Sequence, residues 1–172
     1  SLLFEAVNYQ KARVRVRKIF ANNLLQFFQQ NYYDDQYYSS MDYVSRVVRD
    51  TTIDLGARSS TRLDQSNTYS LDLSRLITDS RKSLYLLEIR GVDPLIPVES
   101  NDYDYYFGDY RTYAERSKVV IQSDIGIICK SSGDEELIVY TTDLVSARPK
   151  GSCKVRAYDR QNQQLAEAVT DS

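Results

Sequence analysis

Few of the side chains in this sequence could do chemistry. The chain has two cysteines, Cys129 and Cys153, 24 acidic residues and no histidine. Without histidine, neither a Ser-His-Asp nor a Cys-His nucleophile can be assembled, and the usual His-containing zinc sites are excluded. Two cysteines cannot fill a four-ligand metal site on their own. The sequence therefore excludes the commonest nucleophilic and zinc-dependent catalytic sites.

Motifs for other reactions are missing too. The sequence contains no Gly-x-Gly-x-x-Gly, P-loop or Ser-x-x-Lys pattern. A calcium loop counted from Asp102 fails, because its sixth position is Phe107 instead of glycine and its twelfth is Tyr113 instead of glutamate. A pair of carboxylates could still act as acid and base, but the sequence marks no such pair. We therefore predict that the chain is not an enzyme, with no catalytic residue, metal ligand or cofactor.

Charge and hydropathy argue against two further classes of partner, nucleic acids and membranes. The net charge is -2, and basic residues are interspersed with acidic ones. Nucleic acid needs a basic face that displaces counterions from phosphate, so we predict no nucleic-acid binding. No apolar run of about 18 residues occurs, and we predict no membrane span.

The periodicity of the sequence is that of strands. In KARVRVRKIF, Ala12, Val14 and Val16 alternate with three arginines, which predicts a strand with one buried face and one face in water. No long amphipathic helix separates the strands, so we predict an all-β, antiparallel sandwich of the immunoglobulin or fibronectin III type. NNLLQFFQQN is either a short helix or an irregular turn. Further strands are predicted in VVRDTTIDLG, TYSLDL and SLYLLEIRGV.

A domain boundary is predicted after residue 93, where Pro94 and Pro97 precede a tyrosine-rich stretch without periodicity. We expect a complete sandwich over residues 1–95, a Tyr/Asp-rich linker over 96–117, and the first strands of a truncated second sandwich over 118–172.

The pattern of the terminal segment, residues 154–172, predicts a strand, a polar turn and a last strand without a partner. The unpaired strand edges of this truncated sandwich predict dimerisation or aggregation. The strands predicted beyond the linker are VVIQSDIGII, ELIVYTTDL and KVRAYD.

Two features leave alternatives open. The clusters NYYDDQYY and NDYDYYFGDY suit either packing at a domain junction or a contact surface, since tyrosine is common at both. Cys129 and Cys153 lie at the ends of predicted strands and could form a disulfide if these ends are adjacent. We favour two buried thiols, because cysteine is an ordinary core residue.

The order of motifs in the second half is similar to the bacterial alpha-2-macroglobulin family. In such proteins a Ser-Asp-x-Gly strand leads to Val-x-x-Thr-Asp-Leu, a Pro-x-x-Gly turn, and a Val-x-x-Tyr-Asp strand ending in Thr-Asp. At the turn this sequence has the shorter Pro149-Lys150-Gly151. VRVRKIFANNLLQFFQQN, YSLDLSRLI and LYLLEI resemble a preceding macroglobulin domain of that family. The matching positions are Ser123, Asp124, Gly126, Thr142, Asp143, Leu144, Pro149, Gly151, Val155, Tyr158, Asp159, Thr170 and Asp171.

This resemblance implies a scaffold within a longer protein. Family members are envelope proteins of stacked macroglobulin (MG) sandwiches that trap proteases after cleavage of a bait region, and many carry a Cys-x-Glu-Gln thioester. Cys129 precedes Lys-Ser-Ser and Cys153 precedes Lys-Val-Arg, so neither matches the thioester. The implied partners are neighbouring macroglobulin domains and, through the full-length protein, proteases. The implied location is the periplasm or the cell surface, with or without a lipid anchor.

A second hypothesis comes from a different class of protein. The tyrosine clusters would also suit a cell-surface, adhesin-like or glycan-binding β-sandwich module, in which Tyr105 and Tyr106 would contact the ligand. This module would bind as an isolated chain, whereas a scaffold would not.

Overall fold

The computed structural model describes residues 1–29, 41–56, 65–79, 82–92, 115–133 and 136–171. It confirms the predicted antiparallel, mainly β architecture, with three short helices: α1 (Leu24–Gln29), α2 (Met41–Val44) and α3 (Leu73–Leu76). Two compact units divide the chain, Ser1–Val120 and Ile121–Ser172. The strands are β1 (Leu2–Ala6), β2 (Lys11–Ile19), β3 (Ser45–Asp54), β4 (Asn67–Leu71), β5 (Ser83–Val92), β6 (Glu115–Gln122), β7 (Ile125–Ser131), β8 (Leu137–Asp143), β9 (Lys154–Tyr158) and β10 (Gln164–Val169).

The first unit is built on a four-stranded sheet with the order β3-β2-β5-β6. The strand predicted in KARVRVRKIF is β2, which pairs antiparallel with both β3 and β5. Its position between two neighbours explains why Val14 and Val16 have no solvent exposure. The strands predicted in VVRDTTIDLG, TYSLDL and SLYLLEIRGV are β3, β4 and β5.

One face of this sheet packs against the two-stranded sheet of β1 and β4 and against α3. Val16 and Leu87 are register partners, so their side chains share this face. Leu71 of β4 and Leu76 of α3 close over them. The helix begins at Asp72, whose carboxylate accepts a hydrogen bond from the Ser74 amide at 3.0 Å. The two sheets and α3 thus enclose the larger hydrophobic cluster of the unit.

Among the described residues, the opposite face of the sheet is covered at one end, by α1 and α2. Phe27 and Val44 pack there on Leu86 of β5, and each of the three is at most 1% exposed. The sequence predicted either a short helix or an irregular turn for NNLLQFFQQN. The structure has a 3₁₀ turn over Ala21–Asn23 that leads into α1. The Phe20 amide donates to the Val44 carbonyl at 2.9 Å, which fastens the two helical segments together.

The second unit contains two antiparallel strand pairs, β7 with β8 and β9 with β10. The prediction of one strand over VVIQSDIGII is wrong, because Ser123 and Asp124 separate β6 from β7. The Ser123 hydroxyl accepts a hydrogen bond from the Ile125 amide at 3.0 Å and so turns the chain. The expectation that the last strand has no partner is also wrong, since β10 pairs with β9.

The predicted division into domains stays a prediction. Residue 118, expected to open the second domain, lies within β6, which belongs to the four-stranded sheet of the first unit. The division between the two compact units falls later in the same strand, after Val120. Most of the predicted linker, residues 96–114, lies outside the described residues.

Replacement of Leu87 by alanine tests the packing of the first unit. Leu87 is 2% exposed within the larger cluster, so we expect the free energy of unfolding to fall by about 2–5 kcal/mol. Val48→Ala, at a site 40% exposed, is the control, with an expected change within about 0.5 kcal/mol. Urea unfolding followed by circular dichroism measures both. Equal losses would contradict this assignment of the core.

Candidate functional site

Three arginines form a ladder along the face of the four-stranded sheet that α1 and α2 cover in part. Arg13, Arg15 and Arg17 alternate with Ala12, Val14 and Val16 on β2, so they point away from the larger hydrophobic cluster. We call these residues the arginine ladder. Each of them pairs with an acidic side chain supplied by another element of the first unit.

The outer part of the ladder is held by Asp50 of β3. The Arg13 guanidinium donates two hydrogen bonds to its carboxylate, both 2.8 Å long, and Arg15 Nε donates a third at 3.2 Å. The hydrogen bond from Arg13 is the main reason why the pKa of Asp50 is lowered. These side chains are 27% to 32% exposed, so solvent weakens the pairs.

Arg17, at the inner end of the ladder, is buried, with only 7% of its side chain exposed. The prediction that it lies in water is wrong, because α1 and α2 cover this end of the face. Its Nε donates to Glu88 Oε2 at 3.3 Å and its Nη1 donates to Asp42 Oδ1 at 2.6 Å. Arg17 therefore ties the sheet to α2 through two carboxylates.

Glu88 is the most deeply buried acid of this network. Its side chain is 3% exposed, and this burial raises its pKa, while the charges of Arg17 and Arg15 oppose the rise. Within the described residues, Glu88 Oε1 has no hydrogen-bond partner. A buried carboxylate that lacks full compensation depends strongly on its one close cation.

A second polar group, which we call the turn cluster, lies in the second unit and contains Asp124, Thr141, Asp143, Lys150 and Thr170. Lys150 Nζ lies 3.4 Å from Asp124 Oδ2 and 3.4 Å from Asp143 Oδ2. All three side chains are about 30% exposed. The ammonium group thus bridges two carboxylates from separate turns.

Asp143 organises the turn that follows β8. Its Oδ1 accepts hydrogen bonds from the Val145 amide at 3.0 Å and from the Ser146 amide at 2.9 Å. These bonds and that from the Ser146 hydroxyl favour the ionised carboxylate, with the Ser146 amide as the largest cause, and lower its pKa to about 2. The Leu144 amide donates to the Asp124 carbonyl at 2.8 Å, so the two turns are joined.

Thr141 and Thr170 connect the two strand pairs of the second unit. The Thr141 hydroxyl donates to the Lys150 carbonyl, and the Lys150 amide donates back to the Thr141 carbonyl at 2.9 Å. The Thr170 amide donates to the Cys153 carbonyl at 3.0 Å, and the Thr170 hydroxyl accepts from the Cys153 amide at 3.1 Å. The end of β10 is thereby fixed beside the segment that follows Pro149.

Gly126 lies close to two side chains, one at the end of β8 and one in the turn that follows it. A Cβ atom there would lie 2.7 Å from Thr142 Oγ1 and 2.8 Å from Leu144 Cδ2, so a larger residue would require these side chains to shift. Asp159 acts in another turn, between β9 and β10, where its carboxylate accepts from the amides of Gln161 at 2.9 Å and Gln163 at 2.7 Å.

Six of the matching positions fall into two groups. Asp124, Gly126, Asp143, Leu144 and Thr170 meet in or beside the turn cluster, whereas Asp159 shapes a separate hairpin. Sequence reasoning missed the role of Lys150, although its position between Pro149 and Gly151 could have indicated a cation for the neighbouring acids. The residues of both groups hold turns and strand ends together.

Both cysteines are free thiols. Cys129 is exposed on β7, and Cys153 is half-buried, with its Sγ 3.8 Å from the Gly151 carbonyl oxygen. The preference for thiols over a disulfide agrees with this structure, but the expectation of two buried thiols is wrong for Cys129 and holds only in part for Cys153. Among the described residues, no side chain covers the face of β7 where the Cys129 thiol lies, next to the exposed side chain of Ile127.

Several predicted features lie outside the described residues. These are the tyrosine clusters NYYDDQYY and NDYDYYFGDY, with Tyr105 and Tyr106, and the rejected calcium loop from Asp102. In the described ranges, no three Cys, Asp or Glu side chains are grouped as a metal site would require. The helices of those ranges are too short or too polar to cross a membrane.

The sandwich of the first unit and the paired strands of the second define a macroglobulin-type β fold. The chain is similar to two crystal structures of native alpha-2-macroglobulin from Escherichia coli. One spans domains NIE-MG1, with 16% identity and a TM-score of 0.69 over 99% of this chain and 74% of that chain. The other spans MG0-NIE-MG1, with 16% identity and a TM-score of 0.68 over 98% of this chain.

These similarities confirm the predicted resemblance at the level of the fold. This chain spans 48% of the structure that includes MG0, or about half of its length. No protein-family model matches the sequence. No curated protein matches it either.

Removal of the Arg17 charge tests the ion pair beneath the helices. In Arg17→Met, Glu88 loses its close cation, so we expect a loss of about 3–5 kcal/mol in the free energy of unfolding at neutral pH. Burial already raises the pKa of Glu88, and the variant raises it further. The folded variant then binds a proton more readily than the unfolded chain, so its deficit shrinks as the pH falls towards 4.5, the ordinary pKa of glutamate.

The matched control is Arg13→Met, which removes a half-exposed pair and should cost about 1 kcal/mol or less. Adding Glu88→Gln to Arg17→Met should recover part of the loss, because no charge then stays buried alone. Urea unfolding of all variants at neutral and acidic pH provides the comparison. A deficit of Arg17→Met that is independent of pH would contradict the role given to Glu88.

Acid titration tests the turn cluster. The pKa of Asp143 is lowered from 3.8 to about 2 in the folded chain, so its ionised form stabilises the fold above pH 3.8, and this stabilisation is lost as the pH falls towards about 2. We expect Asp143→Asn to be less stable than the parent at neutral pH and to lose less stability across that acid range. Thermal unfolding followed by circular dichroism measures both.

The control for Asp143→Asn is Asp171→Asn, which removes the same charge from an exposed position. This control should leave the acid profile of the parent unchanged. Identical profiles for the two variants would show that net charge, and not the turn, governs the acid response.

Proposed function

We propose that this chain is a non-catalytic scaffold segment of a bacterial alpha-2-macroglobulin-like protein, an endopeptidase inhibitor that traps proteases at the cell envelope. The observation that carries the proposal is the match in fold to NIE-MG1 over 99% of the chain. The order of motifs in the second half supports it, because Asp124, Asp143 and Thr170 of these motifs meet in the turn cluster. The proposal places the protein in the periplasm or at the cell surface.

The ion pairs formed by the charged residues support a scaffold role. Asp50, Glu88 and Asp42 neutralise the arginine ladder, and Asp124 and Asp143 share Lys150. Each of these carboxylates acts on an arginine, a lysine or a backbone amide of its own unit. A catalytic pair would instead face a cleft open to substrate.

Neighbouring macroglobulin domains of the same polypeptide are the partners we propose. The second unit supports this proposal, because Thr141 is the sole buried residue among those described in it. Large apolar side chains are exposed on both of its strand pairs, including Ile127, Ile128 and Leu165. Such surfaces are typical of an interface with another part of a protein.

The adhesin-like or glycan-binding module gains no specific support. It depends on the tyrosine clusters, which lie outside the described residues. The scaffold proposal rests instead on residues whose contacts are given above.

A protease-shielding assay on the full-length parent protein tests the proposed function. After reaction with an endopeptidase, the parent should protect the protease from a large protein inhibitor while a small chromogenic substrate is still cleaved, because a cage excludes by size. The present chain alone is the control and should change neither rate. If the large inhibitor blocks the protease equally with and without the parent, the trapping proposal is wrong.

A further inference from the structure

Arg17 is shared between two acids that belong to different elements of the first unit. Its Nη1 donates to Asp42 Oδ1 of α2 at 2.6 Å, and its Nε donates to Glu88 Oε2 of β5 at 3.3 Å. The guanidinium is 7% exposed, so water screens its charge only weakly. Each carboxylate offsets part of this charge and repels the other carboxylate. The hold of Arg17 on one acid therefore depends on the charge of the other.

Glu88 is poorly placed to keep its charge. Its side chain is 3% exposed, and its Oε1 accepts no hydrogen bond from the described residues. An ionised carboxylate in such a place lacks donors that would replace water. Burial therefore raises the pKa of Glu88 above the ordinary value of 4.5. Glu88 gains a proton at a less acidic pH than an exposed glutamate does.

The charged groups near Glu88 come from all four strands of the sheet and from α2. They are Arg15 and Arg17 of β2, Asp50 of β3, Asp42 of α2, Glu115 of β6 and Arg90 of β5 itself. The arginines of β2 favour the ionised form of Glu88, whereas Glu115 favours the protonated form. The helix α1 has the sequence LLQFFQ and adds no charge. Arg17 is the group that bonds both Glu88 and α2.

We propose that Arg17 links the protonation of Glu88 to the docking of α2 on the sheet. Ionised Glu88 offsets the charge of Arg17 and repels Asp42. When Glu88 gains a proton, the guanidinium attracts Asp42 with its full charge, and α2 is held more tightly. By reciprocity, docked α2 makes Glu88 bind its proton more tightly. Docking therefore strengthens as the pH falls and weakens as the pH rises through the value at which Glu88 is half protonated.

Hydrogen exchange of the Phe20 amide tests this coupling, because the amide donates to the Val44 carbonyl of α2 at 2.9 Å. Its protection factor divided by that of the Val14 amide, in the interior of the sheet, separates local opening from global unfolding. In the parent chain this ratio should fall about fivefold between pH 4.5 and neutral pH. The change is small for a coupling of this kind, because Asp42 is 79% exposed.

Three variants separate the coupling from a general effect of charge. Glu88→Gln keeps the shape of the side chain without its charge, so the ratio should stay near the acid value of the parent at both pH values. Asp42→Asn removes the acid on which the coupling acts and should give a low ratio that is independent of pH. The control, Asp54→Asn, removes an exposed acid opposite Lys11 at the far end of β3 and should behave as the parent does. Circular dichroism checks that each variant is folded.

Carbon-13 NMR of the Glu88 carboxyl group tests the reciprocal effect, which a purely structural role of Asp42 would not produce. In Asp42→Asn, Glu88 should be half protonated at a lower pH than in the parent, whereas in Asp54→Asn this pH should not change. A parent ratio that is constant with pH, or an unchanged Glu88 titration in Asp42→Asn, would overturn the proposal. The coupling uses contacts within the first unit alone and does not depend on protease trapping, so the two proposals can fail separately.

Discussion

The alternation of side chains along β2 is the constraint on which the first unit depends. Val14 and Val16 must be buried, and an extended backbone then sends the arginine ladder to the opposite face. Because β2 lies in the interior of the sheet, this second face is crowded by its neighbours. The acids of β3, β5 and α2 are therefore structural necessities, since three arginines cannot be packed side by side without them.

The ion pair between Arg17 and Glu88 has a consequence for strand register. A buried pair contributes little net stability, because desolvation offsets the Coulomb attraction. A shift of β5 by one residue, however, would turn Glu88 towards Val14 and Val16, where no cation lies within the larger cluster. The cost of that misplaced charge disfavours the shifted register. The pair thus acts on specificity of folding more than on stability.

The local sequence pattern predicted the strands. It could not predict burial and contacts that depend on residues distant in the sequence. The period of two in KARVRVRKIF identifies β2 and its buried face from neighbouring residues alone. The burial of Arg17 could not be predicted in this way, because it depends on α2, a later element whose Asp42 bonds the guanidinium. The turn at Ser123, which separates β6 from β7, could have been predicted from the sequence. A serine hydroxyl often accepts a hydrogen bond from the amide two residues later in the chain. The order of motifs indicated most positions of the turn cluster. It did not indicate that Lys150 contacts Asp124 and Asp143.

The two units are held by different forces. The first encloses apolar clusters on both faces of its main sheet, so the hydrophobic effect drives its folding. In the second, hydrogen bonds of the turn cluster fix the positions of strand ends while Ile127, Ile128 and Leu165 face solvent. A hydrogen bond exchanged with water contributes only about 0.5–1.5 kcal/mol, whereas full burial of one isoleucine or leucine contributes about 1.5–3 kcal/mol. The turn cluster therefore sets the geometry of the second unit, whose exposed isoleucine and leucine side chains contribute little to its stability.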